Sequence, residues 1–317
     1  MTPAVTIGMP VRNGAQYVEE AIRSLLVQTE DDFILHISDN CSDDSTPEIC
    51  ARLAEEDSRI RYERQERNLG SAANFEYLLR VARTPFFMWA AHDDIRDRTF
   101  LETSLRLLHE SADAVACSVG VRVIDVDGVE VKRVLPPPGL ASSSHLDRAR
   151  AVTKHHGHLA IYGLMRRDEL GRISIGDHFG ADQAFVFRMT MMGRIVTTDQ
   201  ILITYRLLDI ATRGAGVETH LYDYSRTPTD MYRTMARDVE QASLPSGVKA
   251  GLRLHITGRW LASARQAAIN RNIREIHRAR VDRRYGRMVV RVPILGMLAP
   301  NTVIGRLWQH IVPGKNW

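Results

Sequence analysis

The N-terminal part of the chain alternates between short apolar runs and segments whose apolar residues recur at helical spacing. The apolar runs predict strands at residues 5–9, 33–38, 60–63 and 85–91. The helical spacing predicts helices at residues 15–28, 45–57 and 71–82, the second of them capped by Ser45 with Glu48 three residues later. The fourth strand is so apolar that we expect both of its faces to be buried. Strands that alternate with helices predict an α/β fold, with a mostly parallel sheet flanked by helices.

The pattern changes after a helix predicted at residues 99–110. Two β-rich runs flank the turn dipeptide Asp127-Gly128 and predict a hairpin of residues 114–123 and 129–134. Residues 136–144 predict an exposed, mobile loop. Further helices are predicted at residues 146–155 and 182–192, and further strands at residues 159–165 and 201–205. Beyond about Thr219 the pattern is helical, so we divide the chain into an α/β domain (residues 1–218) and an α-helical C-terminal region (residues 219–317).

Composition places the chain among ordinary globular proteins, with 317 residues, 44% of them hydrophobic and 25% charged. Its start lacks the basic and long apolar segments of an export signal. The cysteines Cys41, Cys50 and Cys117 show no spacing typical of a disulfide or a metal site. We therefore expect a cytoplasmic protein.

Each of the first four predicted strands is followed by a polar or turn-forming loop, at residues 10–14, 38–44, 68–71 and 92–94. Asp and Asn are common in turns, so each loop alone is explained more simply as a turn. In an open parallel sheet, however, ligands bind beyond the carboxyl ends of the strands. Four polar loops at one edge of the sheet therefore predict a binding site.

Asp93 and Asp94 directly follow the most apolar strand, where a buried carboxylate needs a partner. A divalent cation that bridges to substrate phosphates would be such a partner, because Mg²⁺ and Mn²⁺ favour oxygen ligands. The alternative is that the pair caps the helix predicted near Arg98. The residues alone leave these two interpretations equally open.

The order and spacing of the four loops resemble the N-terminal half of family 2 glycosyltransferases, which have the GT-A fold. The resemblance covers roughly residues 4–210 and is carried by PVRN at residues 10–13, DNCSDDST at 39–46, NLG at 68–70 and HDD at 92–94. It implies an inverting glycosyltransferase with a nucleotide-sugar donor and with Mg²⁺ or Mn²⁺ as cofactor.

The resemblance also implies roles for individual residues. Asp93 would bind the metal, and Asp182 would be the general base, with Asp177 in reserve. A base must lie within hydrogen-bond reach of the acceptor hydroxyl. The alternative for Asp182 is an acid placed favourably at a helix N-terminus. The residues implied to bind the nucleotide sugar are Pro10, Val11, Asn13, Asp39, Asn68, Gly70, Asn74, His92, Asp94 and Arg206.

Arg206 has two interpretations, because a guanidinium can bind the donor diphosphate or form a structural ion pair. The chain also departs from the family pattern at two positions. Ala91 replaces the first aspartate of the Asp-x-Asp motif, and Ala73 replaces an arginine often found before the asparagine of the third loop, so another cation could face the diphosphate. The histidines 155, 156 and 158 lack a further ligand at suitable spacing, so we expect no zinc site.

The resulting hypothesis is a transferase that moves a sugar from a UDP- or dTDP-linked donor to a hydroxyl of a glycan or glycolipid, in cell-envelope or surface polysaccharide biosynthesis. A catalytically silent sugar-nucleotide-binding or scaffold protein of the same fold is the alternative, motivated by Ala91 and Ala73. A nucleotidyltransferase is disfavoured, because it needs a glycine-rich basic loop after the first strand, where this chain has PVRNG.

The basic residues concentrate at the C-terminal end, where residues 249–315 hold 14 Lys and Arg residues against two acidic ones. Residues 248–281 form an amphipathic pattern. Its two faces carry Ile269, Ile273 and Ile276 on one side and Arg271, Arg274 and Arg278 on the other. The apolar run at residues 288–299 is too short and interrupted to span a bilayer.

Two interpretations of this basic end stay open. Residues 246–317, with Trp308, could bind an anionic membrane on the inner face of the plasma membrane, close to a lipid-linked acceptor. Alternatively, they form a solvated face that packs on the catalytic domain or on another subunit of a homo-oligomer. No recognition motif or aromatic stacking platform accompanies the basic residues, so we expect no nucleic-acid partner.

Overall fold

A computed structural model describes residues 3–154, 157–170, 173–178, 180–208 and 228–282. Within these residues the strands are β1 (Val5–Val11), β2 (Phe33–Asp39), β3 (Ile60–Arg64), β4 (Phe86–Trp89), β5 (Ile95–Arg96), β6 (Ala114–Ile124), β7 (Glu130–Val134), β8 (Met165–Arg166) and β9 (Arg194–Arg206). The helices are α1 (Val18–Leu26), α2 (Thr46–Glu56), α3 (Ser71–Val81), α4 (Phe100–His109), α5 (His145–Lys154), α6 (Arg167–Leu170), α7 (Ala181–Met192), α8 (Pro228–Gln241) and α9 (Ser246–Asp282). Two 3-10 helices cover Pro138–Ala141 and Gly157–Tyr162.

The described strands form one mixed sheet in the order β3-β2-β1-β4-β8-β6-β9-β5, and β7 pairs with β6. Strands β1, β2, β3 and β4 are parallel to one another, as the alternation of strands and helices predicts. The two-residue strand β8 is antiparallel to both β4 and β6, and so joins the parallel part to the rest of the sheet. The fold is therefore α/β, with a mostly parallel N-terminal half.

Helices cover both faces of the sheet. One core cluster contains apolar residues of α1, α2 and α4, and the other contains apolar residues of α3, α5, α7, α8 and the beginning of α9. Strand β4 contributes to both, because Phe86 and Met88 belong to the first cluster and Phe87 and Trp89 to the second. All four residues are buried, which confirms the prediction that both faces of this strand are covered.

Helix α1 begins at Val18, three residues after the predicted start at residue 15. The preceding backbone N–H groups donate to side chains of another loop instead of entering a helix: Gly14 donates to Thr46 Oγ1 and Ala15 to Asp44 Oδ2. The prediction that the Ser45 side chain caps α2 is also wrong. Ser45 makes no side-chain cap hydrogen bond, and Asp44 Oδ1 instead accepts the backbone N–H of Thr46.

The predicted hairpin is confirmed, with β6 antiparallel to β7 and Gly128 at a φ of 81° in the turn. Two other predictions fail. The segment at residues 136–144 contains a 3-10 helix whose Leu140 is fully buried, because it packs in the core cluster beside α5. Residues 159–165 are mostly a 3-10 helix followed by β8, not one strand.

Helices α8 and α9 confirm a helical region toward the C-terminus. The chain divides into two compact units, residues 1–261 and residues 262–317. Within the first unit, Met235, Leu252 and Ile256 belong to the same buried cluster as α7. The predicted boundary at residues 218/219 falls outside the described residues and stays a prediction.

The described part of the chain contains no helix with both the length and the apolar character needed to cross a bilayer. The predicted apolar run at residues 288–299 and Trp308 lie outside the described residues. The same is true of the side chains of Ile269, Arg271 and their neighbours.

We expect Gly163→Ala to destabilise the protein by roughly 3 kcal/mol, because overpacking a rigid core forces the backbone to shift. A Cβ on Gly163 would lie 1.8 Å from the carbonyl oxygen of Cys117, on β6. The matched control is Gly251→Ala on α9, where a Cβ meets nothing within 4 Å and an alanine favours the helix. Urea denaturation of both variants tests this; equal stability of the two would contradict it.

Candidate active site

The predicted loops meet at one edge of the sheet because the strands before them are parallel. In the register of β1 with β2, Val11 pairs with Asp39, the last residue of each strand. In the register of β1 with β4, Gly8 pairs with Trp89. The loops after β1, β2, β3 and β4 therefore leave the sheet on the same side, where ligands bind in folds of this kind.

Hydrogen bonds between side chains and backbone connect the first loop to the second. The backbone N–H of Asn13 donates to Ser42 Oγ over 2.9 Å, and the Asn13 side-chain oxygen accepts the backbone N–H of Asp43 over 3.0 Å. Asn13 has a φ of 53°, a left-handed conformation that asparagine tolerates better than most residues. Pro10 and Val11 are buried, and the Val11 carbonyl accepts the backbone N–H of Asn40.

The third loop is joined to the second in the same way. Asn40 Nδ2 donates to Asn68 Oδ1 over 2.8 Å, and the backbone N–H of Leu69 donates to Asn40 Oδ1 over 2.7 Å. Asn68 Oδ1 also accepts the backbone N–H of Gly70, whose φ of 84° favours glycine. These contacts fix Asn68 and Gly70 beside the second loop.

Asn74 is buried below this edge and has a structural role. Its Oδ1 accepts the Ser38 hydroxyl over 2.6 Å, and its Nδ2 donates to the Ser38 carbonyl over 2.9 Å. These two bonds tie α3 to the end of β2. The pattern that suggested a nucleotide contact for Asn74 thus marks a buried tie between two elements.

Asp39 is also fully buried, and both of its carboxylate oxygens have partners. Oδ1 accepts the backbone N–H of Ser42 over 2.9 Å, and Oδ2 accepts the Tyr62 hydroxyl over 2.8 Å. Arg64 lies 3.8 Å from Oδ2, and its guanidinium donates to the Ser42 carbonyl. Direct contact between Asp39 and a nucleotide would require one of these partners to move.

The fourth loop packs against the first, because a Cβ on Gly14 would lie 2.5 Å from the His92 ring. His92 and Asp93 are both partly exposed at this edge. The Asp93 carboxylate makes no hydrogen bond or ion pair with any described residue. It is therefore available to a ligand.

Asp94, the residue after Asp93, is buried. Its Oδ1 accepts the backbone N–H of Arg206 over 3.1 Å, and its Oδ2 lies 3.9 Å from Nη1 of the buried Arg96. Oδ2 has no hydrogen-bond partner within the described chain. Burial, and then the neighbouring charge of Asp93, raise the pKa of Asp94 to about 7, while Arg96 acts in the opposite direction.

The structure excludes the helix-cap alternative for Asp93 and Asp94. Strand β5 follows this pair, and α4 begins only at Phe100, with Thr99 at its N-cap. The backbone N–H of Thr99 donates instead to the carboxylate of Asp97.

Arg206 is committed to contacts within the protein. Its Nη2 lies 2.9 Å from Glu20 Oε2, its Nε donates to the Asp93 carbonyl over 3.3 Å, and its guanidinium lies 4.4 Å from the centre of the Tyr17 ring. This is the structural ion pair that the sequence left as an alternative. Through its hydrogen bond to the Asp93 carbonyl, Arg206 also holds the backbone of Asp93 in place.

The phenol of Tyr162 is affected by the charges of both Asp93 and Asp182. Burial raises the pKa of the Tyr162 phenol well above its usual range, and Tyr205, Asp94, Asp93 and Asp182 raise it further through their negative charges. All four side chains therefore lie within electrostatic range of Tyr162. Both aspartates that the sequence singled out therefore contribute to the electrostatic environment of the same phenol.

Asp182 lies in the first turn of α7, after Gly180, whose φ of 72° is left-handed. Its side chain is exposed, and its Oδ1 accepts the adjacent backbone N–H of Gln183 over 2.8 Å. This contact is the one expected of an acid at a helix N-terminus. The other carboxylate oxygen has no hydrogen-bond partner among the described residues. The reserve candidate Asp177 is also exposed.

A divalent cation fits this edge only if the substrate completes its shell. The described residues include no group of three or more His, Cys, Asp or Glu side chains arranged to hold a metal. Magnesium in particular is often held by one or two carboxylates together with substrate phosphates. The free Asp93 carboxylate fits that kind of site. His155 and His156 lie outside the described residues, so the absence of zinc there stays a prediction.

Sequence reasoning missed Tyr62, Arg64 and Arg96, which lie beside the predicted aspartates Asp39 and Asp94. Tyr62 and Arg64 lie on β3 at alternate positions, so the period of a strand could have placed both on the side of Asp39. Tyr162 ends a 3-10 helix, in a segment that the apolar pattern predicted to be a strand.

Comparison with known proteins agrees with this architecture. An uncharacterised glycosyltransferase of Rickettsia felis is 32% identical over 137 residues, which are 42% of this chain and 22% of that protein. The matched region is 22% of the length of this relative, 68% of an uncharacterised glycosyltransferase of Rickettsia typhi and 15% of one of Rickettsia bellii.

Two solved structures share the fold. S. aureus TarS 1-349 in complex with UDP-GlcNAc has a TM-score of 0.63 at 18% identity, over 81% of this chain and 72% of that one. The mannosyltransferase PcManGT from Pyrobaculum calidifontis, in complex with GDP-Man and Mn²⁺, has a TM-score of 0.51 at 16% identity, over 98% and 84% of the two chains. At these identities the likeness shows a GT-A fold.

The sequence model described as glycosyl transferase family 2 matches residues 6–170. The match begins in β1 and ends at α6, so it contains all four loops at the carboxyl edge of the parallel strands. Because it covers more than half of the 317 residues, the chain belongs to glycosyl transferase family 2.

Proposed function

We propose that the protein is an inverting, metal-dependent glycosyltransferase. It transfers a sugar from a UDP- or dTDP-linked donor to a hydroxyl of a glycan or glycolipid, in cell-envelope or surface polysaccharide biosynthesis. One observation carries the proposal: the four loops are tied to one another at a single edge, where the Asp93 carboxylate has no partner among the described residues. Asp182 lies within electrostatic range of the same region through Tyr162.

The relatives of the same fold support a nucleotide-sugar donor. TarS has been solved with UDP-GlcNAc, and PcManGT with GDP-Man and Mn²⁺. The nucleoside would lie against the first three loops, where Asn13, Asn68 and Gly70 are exposed in part, and beside the partly exposed His92 of the fourth loop. Asp39 and Asn74 would act indirectly, by holding the positions of these loops.

Asp182 would act as the general base. Its carboxylate accepts the proton of the acceptor hydroxyl while that oxygen forms a bond to the anomeric carbon of the donor. The bond between the anomeric carbon and the diphosphate oxygen breaks, and the nucleoside diphosphate leaves with the bonding electron pair. Attack opposite the leaving group inverts the configuration of that carbon.

Asp93 would hold the cation together with the donor phosphates. When bound, Mg²⁺ or Mn²⁺ would stabilise the negative charge that develops on the departing diphosphate. Asp94 and Arg206 would keep the Asp93 backbone in place, since Arg206 donates to the Asp93 carbonyl and to the Asp94 carboxylate.

We expect Asp93→Asn to reduce transfer at least about 100-fold, because stabilisation of developing charge is a large catalytic contribution. The substitution preserves size, so the far-ultraviolet circular dichroism should not change. A thermal-shift assay with UDP supplies the second measurement. Mn²⁺ should raise the melting temperature of the wild-type protein with UDP, and it should not raise that of Asp93→Asn. Full transfer by this variant would refute the assignment of the metal ligand.

Asp182→Asn is expected to reduce transfer by about 10²–10⁴-fold, the range of a general base. Donor binding, measured by calorimetry, should stay close to that of the wild-type protein, because the residue acts on the acceptor. Asp177→Asn is the matched control, since Asp177 is also exposed before α7. If Asp177→Asn loses activity and Asp182→Asn keeps it, the base is Asp177.

A catalytically silent sugar-nucleotide-binding protein is the second candidate. Ala91 and Ala73 favour it, because both replace residues that the family commonly uses at the metal and the diphosphate. Calorimetry with nucleoside diphosphates and Mn²⁺, followed by assays of donor hydrolysis and of transfer, separates the two functions. Binding without turnover of any UDP-, dTDP- or GDP-sugar would favour the silent protein.

We further propose that the basic C-terminal region binds an anionic membrane at the inner face of the plasma membrane. Wild-type protein should float with vesicles that contain phosphatidylglycerol and not with neutral vesicles, because polybasic segments are attracted to anionic lipid. Replacement of Arg271, Arg274 and Arg278 by Gln should weaken flotation at least severalfold. Equal flotation of both proteins would remove the role of these arginines.

A further inference from the structure

Arg12 is an arginine at the carboxyl edge that has no partner among the described residues. It follows Val11, the last residue of β1, and it is partly buried. Its Nε is buried and has no hydrogen-bond partner in the described chain, and its guanidinium forms no ion pair with any described residue. Burying a charged donor without a partner is costly, so a ligand that brought an acceptor to Arg12 would offset that cost.

Three other arginines near this edge have partners, and Arg67, just before the third loop, is exposed to solvent. Arg64 donates to the Ser42 carbonyl beside Asp39, Arg96 faces Asp94, and Arg206 is paired with Glu20. The first turn of α3, which follows the third loop, has no basic residue. Arg12 is therefore the arginine in this set that is partly buried and has no partner for its guanidinium among the described residues.

The backbone around Arg12 is held in place. The next three residues donate their backbone N–H groups to the second loop and the start of α2, and Gly14 packs on His92, which precedes Asp93. Arg12 thus extends from a fixed position between the second loop and the loop that carries Asp93. Arg12 and Asp93 therefore lie in loops that pack against each other at the same edge of the sheet.

We propose that Arg12 binds the diphosphate of the nucleotide donor through its guanidinium. The inference rests on the proposed function. Arg12 would take the place of the arginine that Ala73 replaces, as the cationic side chain that contacts the diphosphate. A guanidinium matches phosphate geometry with paired N–H donors, which a lysine cannot reproduce. Arg12 thereby shares the donor's negative charge with the cation on Asp93.

Isothermal calorimetry in EDTA tests the proposal with UDP, dTDP and GDP, each compared with its nucleoside. For the diphosphate that binds best, Arg12→Gln should weaken affinity about 10- to 100-fold, the range of a hydrogen bond to a charged group. Arg12→Lys should recover part of the loss, and affinity for the nucleoside should not change. Arg106→Gln, which removes an exposed charge on α4, is the matched control and should bind as the wild-type protein does.

A structural role for Arg12 predicts something different, namely that Arg12→Gln lowers the melting temperature of the free protein. We expect no decrease, because the side chain has no partner to lose among the described residues. If Arg12→Gln binds the diphosphate within twofold of the wild-type protein, or loses nucleoside affinity by the same factor, Arg12 does not bind the diphosphate. If the wild-type protein binds no nucleoside diphosphate even with Mn²⁺, the proposed function fails and this inference fails with it.

Discussion

Short polar side chains that satisfy the backbone of neighbouring loops determine the geometry of the carboxyl edge. Residues in tight loops cannot pair their N–H groups within a strand or helix, yet buried N–H groups must be paired. Ser42, Asp44 and Asn40 accept such groups from the loops on either side. Because each bond joins two loops, the position of one loop depends on the next. A rigid sheet below and cross-bonded loops above are the conditions under which a site can be preorganised.

The adjacent aspartates Asp93 and Asp94 show how one strand end supplies two different groups. Asp94 points into the protein, where burial raises its pKa to about 7 and Arg96 is a neighbouring cation. Asp93 stays at the surface, and its carboxylate has no partner in the part of the chain that the structure describes. The backbone N–H of Arg206 donates to the Asp94 carboxylate, and the Arg206 side chain donates to the backbone carbonyl of Asp93. The inner aspartate therefore supports the loop that presents the outer one.

The parallel half of the fold could be predicted because its signals are local. The run at β4 is apolar at every position, and the structure covers both of its faces. The antiparallel half depends on long-range pairing that local pattern does not contain. Strand β8 has two residues, and it forms only because β4 and β6 lie on either side of it. Likewise, Leu140 is buried by α5 and its neighbours, whereas its own segment has the composition of an exposed loop.

The candidate site was predictable as a region but not residue by residue, since sequence does not reveal how much hydrogen-bonding capacity the protein itself satisfies. Asp39 and Asn74 are bonded to Tyr62, Ser38 and backbone groups, and Arg206 is bonded to Glu20. Once these internal partners are taken into account, the carboxylate of Asp93 and the guanidinium of Arg12 are among the groups that the described residues of the four loops leave for a ligand. A cation bound to a diphosphate carries the complementary charge for both. The chemistry that this edge can perform therefore follows from what the folded chain leaves unpaired, not from how many polar residues its loops contain.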